Sequence, residues 1–142
     1  MKTPLETGKR WLAQAEHSLS MAQLLLDGGF WAGACFQAEQ TGPLALKAFL
    51  FFKGRRYVNI HSVQKLATEC GKEDPAFSAM ESYSSFLDRF YLTTRYPDAL
   101  PDPAIPFQSF YESEAKQALD HASKIVEMVR DRIPYSSEDP LP

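Results

Sequence analysis

The segment 93–98 contains residue types that could bind an anionic group. Arg95 offers a rigid fork of hydrogen-bond donors that suits a phosphate or a carboxylate. Tyr96 beside it could stack on a nucleotide base, and Pro97 restricts the direction of the backbone. Asp98 could join Arg95 at a ligand site. Alternatively, Asp98 could pair with Arg95 and fasten a loop to the rest of the fold, and both interpretations stay open at this point.

The other residues that could do chemistry form no cluster with a recognisable spacing. The histidines His17, His61 and His121 are far apart along the chain, and no group of carboxylates or cysteines accompanies them. We predict that His17 and His121 lie on the surface. Cys35 falls on the apolar face of a predicted helix, so we expect it to behave as a small hydrophobic residue. The chain also has no glycine-rich phosphate loop, and we expect neither a metal site nor a cofactor.

The composition is that of an ordinary globular domain. The chain has 142 residues, of which 44% are hydrophobic and 23% charged, and its net charge is −3. This charge argues against general affinity for nucleic acid. The distribution is uneven, since residues 1–71 carry a net charge of +3 and residues 72–142 carry −6. Lys53, Arg55 and Arg56 form the densest basic cluster, which could be a solvated loop or a binding patch.

The apolar runs are too short for a membrane-spanning helix. The longest, residues 48–52, falls far below the roughly 20 residues that a span requires. The first residues lack the layout of a signal peptide, and two cysteines do not make a disulfide framework. We therefore expect a cytoplasmic protein with reduced thiols and no membrane association.

The apolar periodicity predicts an all-α protein. Apolar residues recur at spacings of three and four in every long segment, whereas no strand pattern is convincing. The predicted fold is an up-and-down bundle of four long helices and a short one, in a domain that covers residues 5–133. We predict a kink or a break at Gly42-Pro43 and a flexible tail over 134–142. The predicted helices cover 5–27, 30–53, 61–70, 74–93 and 109–132, and a proline-rich loop covers 94–108.

Four blocks, in order along the chain, resemble the HEPN domain family. This family is found in prokaryotes and at the C-terminus of the chaperone-like protein sacsin, and the branch with an Arg-Tyr-Pro-Asp motif is the most similar. The resemblance extends over about residues 8–132. The blocks are Arg-Trp-Leu-x-Gln-Ala-Glu at 10–16, the stretch 29–40 continuing into Ala-Leu-Lys-Ala at 45–48, His-Ser-Val-Gln-Lys-Leu at 61–66 and Thr-Arg-Tyr-Pro-Asp at 94–98.

The resemblance implies a helical bundle that forms homodimers. Many family members accompany a minimal nucleotidyltransferase, and such pairs can act as toxin–antitoxin systems. Others are metal-independent ribonucleases that use an Arg-x(4–6)-His motif across the dimer interface, and the sacsin-like branch is associated with nucleotide binding. This chain has Pro43 and Leu44 where the family usually has a Glu-Lys pair. The basic first half and the acidic second half could also complement each other across a two-fold axis.

Three functions follow from the residues and the resemblance together. The first is a non-catalytic nucleotide- or RNA-binding homodimer, with Arg95, Tyr96, Asp98, His61 and Lys47 as candidate ligand-binding residues. The second is a toxin-like ribonuclease, in which His61 acts as general acid or base and Arg56 or Arg55 stabilises the phosphate in the transition state. The family places that motif on a later helix. The third is a subunit that binds a minimal nucleotidyltransferase.

Overall fold

Five α-helices form where the apolar periodicity predicts helical structure. The computed structural model describes residues 2–134, and those residues form no β-strand. The all-α prediction is therefore confirmed. Most of the predicted flexible tail, residues 135–142, lies outside the described residues. The helices are α1 (Pro4–Asp27), α2 (Trp31–Phe52), α3 (Val63–Glu73), α4 (Glu81–Asp88) and α5 (Glu112–Arg132).

Short-range signals set the ends of α1 and α2. Thr3 begins α1 with a capping box: its hydroxyl accepts from the Glu6 amide at 3.1 Å, and the Glu6 carboxylate accepts from the Thr3 amide at 2.9 Å. Glycines follow both helices with positive φ, +81° at Gly29 and +98° at Gly54. Other residues rarely adopt this conformation, so these glycines end the two helices.

The second helix is the centre of the bundle. It packs against each of the other four helices, and apolar residues cover most of its surface, as is typical of a helix buried on several sides. α2 continues through Pro43 as one element, so the alternative prediction of two separate pieces is wrong. Gly42 allows α3 to approach closely, because a Cβ atom there would lie 2.7 Å from Cγ1 of Val63.

The fourth helix is shorter than the sequence predicts. Asp74 does cap a helical segment, by accepting from the Ala76 amide at 3.0 Å, but residues Pro75–Met80 form a 3-10 helix. α4 then ends at Asp88 instead of Thr93. The Thr93 and Thr94 hydroxyls donate to backbone carbonyls four residues earlier, at 2.7 and 2.6 Å. Such bonds compete with regular helix formation, and residues 89–95 form turns.

The third and fifth helices begin later than predicted. α3 begins at Val63 because Ser62 caps it, which leaves His61 outside the helix. α5 begins at Glu112 after a short 3-10 turn at Pro106–Gln108. Another 3-10 turn covers Pro97–Ala99, and no regular helix or strand interrupts the proline-rich stretch between α4 and α5. Within residues 2–134, no helix is both long and apolar enough to span a membrane.

Candidate functional site

An open cleft joins three of the residues that the sequence singles out. Lys47 on α2, His61 in the loop before α3 and Arg95 in the turn after α4 all line it. The cleft has a volume of about 270 Å³. Three cationic or titratable side chains thus converge from segments that are far apart in the sequence. The remaining lining residues are Trp11, Phe36, Glu39, Gln40, Pro43, Leu44 and Tyr91.

A buried carboxyl group lies between this cleft and a second depression. Glu39 is only 2% exposed, yet it lines both the cleft and an adjoining depression of about 320 Å³, which it shares with His61 and Asp88. Burial raises the pKa of Glu39 to about 7, against the opposing effect of a 2.8 Å hydrogen bond from Gln40. A perturbed carboxyl group in a cleft is a common feature of functional sites.

Glu39 is absent from the site residues that the sequence predicts. Its signal is a charged residue between Ala38 and Thr41 on a helix that is mostly apolar. Such a residue is rarely buried unless a partner or a function requires it. Glu39 thus adds a hydrogen-bond acceptor beside the predicted cations Lys47 and Arg95.

Arg95 is held by the turn that contains it and by three aromatic rings. Its guanidinium carbon lies 4.4 Å from the ring centroid of Phe36, 4.9 Å from that of Tyr91 and 4.8 Å from that of Tyr96. Arg95 also donates to the Tyr91 carbonyl, and the Tyr96 hydroxyl accepts from it at 3.3 Å. Tyr96 therefore covers Arg95 but is absent from the described lining of the cleft.

Asp98 lies apart from this arrangement. It is exposed in the turn Pro97–Ala99 and does not line the cleft. Among residues 2–134, no ion pair joins it to Arg95. The loop is thus fastened by Arg95 through the Tyr91 carbonyl, not through an Arg95–Asp98 pair.

His61 owes its position to a contact across the bundle. The carboxylate of Asp88, at the end of α4, accepts from the Val63 amide at 2.7 Å and from the Gln64 amide at 3.0 Å. It also accepts from the Ser62 hydroxyl at 2.9 Å. These three bonds join the N-terminus of α3 to α4, and they hold the loop residue His61 at the edge of the cleft.

The two arginines proposed for a ribonuclease site lie elsewhere. Arg55 forms ion pairs with Glu69 at 2.9 Å and with Glu73 at 3.6 Å. Arg56 lines a different cavity, at the ends of α1 and α2, and His61 is absent from the described lining of that cavity. Within this chain, the structure brings neither arginine into the cleft that contains His61.

The two cysteines and His121 pack inside the fold, away from the cleft. Cys35 and Cys70 are free and buried, and burial raises the pKa of the Cys35 thiol to about 12. The prediction of a small hydrophobic residue at Cys35 is confirmed. The surface prediction for His121 is wrong, because its ring packs between Tyr83 and Phe86 at centroid distances of 4.6 and 4.9 Å. Residues 2–134 contain no group of three or more metal-ligating side chains.

Three solved structures share this architecture. TT1696 from Thermus thermophilus has a TM-score of 0.83 and 33% identity, over 89% of this chain and 98% of its own. ST0689, described as an archaeal HEPN homologue, has a TM-score of 0.74 and 30% identity, over 94% and 99%. An HEPN domain protein from Thermotoga maritima shares the fold, with a TM-score of 0.68, 23% identity and coverage of 89% and 98%.

The sequence itself matches a family model over almost the whole described region. No curated protein gives a significant match to this chain. The model of the HEPN domain, however, matches residues 9–132. This range includes every residue that lines the cleft, and it contains the four sequence blocks. The chain belongs to the HEPN domain family.

Proposed function

We propose that this HEPN domain protein is a non-catalytic homodimeric module that binds a nucleotide or an RNA end. The observation that carries the proposal is the convergence of Lys47, His61 and Arg95 in one cleft beside the buried carboxyl group of Glu39. Convergent polar groups in a concave site are typical of ligand binding. The nucleotide binding associated with the sacsin-like branch, which the Arg-Tyr-Pro-Asp motif of this chain resembles, supports the same proposal.

The side chains of the cleft suit the parts of a nucleotide. Lys47 supplies a positive charge for a phosphate, and its ammonium lies 5.9 Å from the Trp11 ring centroid at the edge of the cleft. His61 is exposed and can hydrogen-bond to a phosphate or a ribose. Glu39 can accept from a ring or amino N–H of a base. Arg95 donates its hydrogen bonds to acceptors within its own turn. Its role in the cleft is therefore to add positive charge and to hold the aromatic side chains of the wall in place.

Exposed apolar side chains support the homodimer. Leu92, Ile105, Phe107 and Tyr111 are 51%, 44%, 71% and 70% exposed, and all belong to the stretch between α4 and α5 or its immediate ends. We infer that these side chains, which are close together along the chain, contribute to the dimer interface. A monomer at high micromolar concentration, measured by analytical ultracentrifugation, would contradict this part of the proposal.

The geometry favours binding over the two other functions that the sequence suggests. A toxin-like ribonuclease would need Arg55 or Arg56 beside a His61, within one chain or across a dimer interface. Within one chain, Arg55 pairs with Glu69 and Arg56 lines a different cavity. Binding to a minimal nucleotidyltransferase has no specific structural observation in its favour, and co-purification with such a protein would be its test. A cytoplasmic location accords with the buried free thiols.

Calorimetric titration of ATP, GTP and a short RNA tests the proposal. We expect micromolar binding of at least one of them, and a several-fold loss of affinity in Lys47→Ala. The control is Lys116→Ala, which removes the same charge from an exposed Glu112–Lys116 pair on α5. Equal affinity in wild type and Lys47→Ala would show that the cleft is not the site, and no binding of any ligand would reject the function.

A further inference from the structure

A second cavity with basic residues lies at the ends of α1 and α2. Its volume is about 510 Å³, and Lys2, Arg55 and Arg56 contribute three cations to its wall. No carboxylate is among the described residues that line it. The other lining residues are Pro4, Thr7, Phe51 and Gly54.

Two of these cations are available to a ligand. Glu69 and Glu73 partly neutralise Arg55. Arg56, in contrast, is exposed and forms no hydrogen bond or ion pair with any residue in the described range 2–134, and the same holds for Lys2. The positive φ of +98° at Gly54 ends α2 and turns the chain, so that Arg56 is on the wall of the cavity instead of continuing the helix.

A pair of aromatic rings separates this cavity from the cleft. Trp11 lines the cleft and Phe51 lines the basic cavity, and their ring centroids are 5.0 Å apart. Thr7 and Trp11 are four residues apart on α1, as are Lys47 and Phe51 on α2. Four residues span about 6 Å along a helix. The two cavities are therefore neighbours along the groove between α1 and α2.

We propose that the cleft and the basic cavity together form one track for a single strand of nucleic acid of two or more nucleotides. Lys47 and His61 contact one phosphate, Arg56 and Lys2 contact another, and the Trp11–Phe51 pair supports a base between them. Cationic grooves interrupted by aromatic side chains are the usual way in which proteins bind single strands. This inference rests on the proposed function and specifies its ligand as a strand, not a free mononucleotide.

The track is tested by comparing the affinity for a labelled hexaribonucleotide with the affinity for the mononucleotide AMP. Fluorescence anisotropy measures the binding. The wild-type protein should bind the hexamer several-fold more tightly than AMP. Arg56→Ala should weaken hexamer binding several-fold, reduce the slope of log affinity against log salt by about 0.7 and leave AMP affinity unchanged. Lys2→Ala should behave in the same way, and Lys116→Ala should match wild type. An abasic hexamer should bind more weakly than the RNA, because it cannot stack on Trp11 and Phe51.

The outcomes separate the two proposals. The track is overturned if the hexamer binds no more tightly than AMP, or if Arg56→Ala binds the hexamer with wild-type affinity. In either case, binding of AMP would still support the proposed function. An abasic hexamer that binds as tightly as the RNA also overturns it, since the site would then recognise charge alone. Failure of ATP, GTP, AMP and the hexamer all to bind rejects the proposed function, and the track with it.

Discussion

Arg95 donates two hydrogen bonds to the carbonyl oxygen of Tyr91, from Nε at 3.0 Å and from a terminal nitrogen at 2.8 Å. The two residues are four apart, so this fork closes the turn that follows α4. It also fixes the guanidinium plane against the surrounding rings at the wall of the cleft. A planar group with several donors is needed for such an arrangement, and an ammonium group cannot reproduce it.

Replacement of Arg95 should therefore affect both the turn and the ligand. We expect Arg95→Ala and Arg95→Lys to lower the free energy of unfolding by about 1 kcal/mol and to weaken nucleotide binding several-fold. The control is Asp98→Asn, which should change neither quantity because Asp98 lies outside the cleft. Urea unfolding and calorimetric titration measure the two effects. Wild-type affinity in Arg95→Lys would contradict the proposed role of the fork.

Glu39 should make stability depend on pH. Its pKa is raised to about 7 in the folded protein, above the ordinary value near 4.3 in the unfolded chain. At pH values between these two pKa values, the folded state binds more protons than the unfolded state. The stabilisation from protonated Glu39 is therefore present below about pH 4 and is lost as the pH rises through about 7. We expect Glu39→Gln to stabilise the protein by about 1–3 kcal/mol at pH 8.5 and by much less at pH 5.

Thermal unfolding at the two pH values checks this prediction. The matched control is Glu127→Gln on α5, an exposed glutamate for which the change in stability should be small at either pH. If the difference in unfolding temperature between Glu39→Gln and wild type is the same at pH 5 and at pH 8.5, the buried carboxyl group does not titrate in this range.

Asp88 should be necessary for the start of α3. Its carboxylate accepts from two backbone amides and one hydroxyl there. Asp88→Ala should lower the free energy of unfolding by about 2 kcal/mol, because helix caps and bonds to charged groups each contribute of this order. Ser62→Ala should cost less, since the Asp88–amide bonds remain. Hydrogen exchange at the Val63 and Gln64 amides measures the local effect, and unchanged protection in Asp88→Ala would contradict it.

Gly42 should be intolerant of a side chain. A Cβ atom there would lie 2.7 Å from Val63 Cγ1, and overpacking of this kind costs about 1–3 kcal/mol. Gly42→Ala should therefore destabilise the protein, and adding Val63→Ala should restore part of the loss. Gly33 is a suitable control on the same helix, because its nearest neighbour would be 3.5 Å away. A Gly42→Ala protein as stable as Gly33→Ala, in urea unfolding, would show that α2 and α3 can separate without cost.

Local sequence determined the helical architecture. Apolar spacing and the glycines after α1 and α2 each act within a few residues, and they place those helices to within one or two residues of the observed bounds. The Arg-Tyr-Pro-Asp block and its companions were also sufficient to suggest the family. Two residues of the proposed site, Lys47 and His61, come from the same motifs.

Only the tertiary structure decided how those residues act. Glu39 is buried because four helices surround α2, and His61 is placed by Asp88, which is 27 positions away in the sequence. His121 packs between two rings of α4, although the polar residues Asp120 and Ser123 lie close to it in the sequence. Periodicity reports which face of a helix is apolar, but it does not report what lies opposite that face. The burial of a polar group, and the charges that surround it, depend on contacts between elements that are distant along the chain.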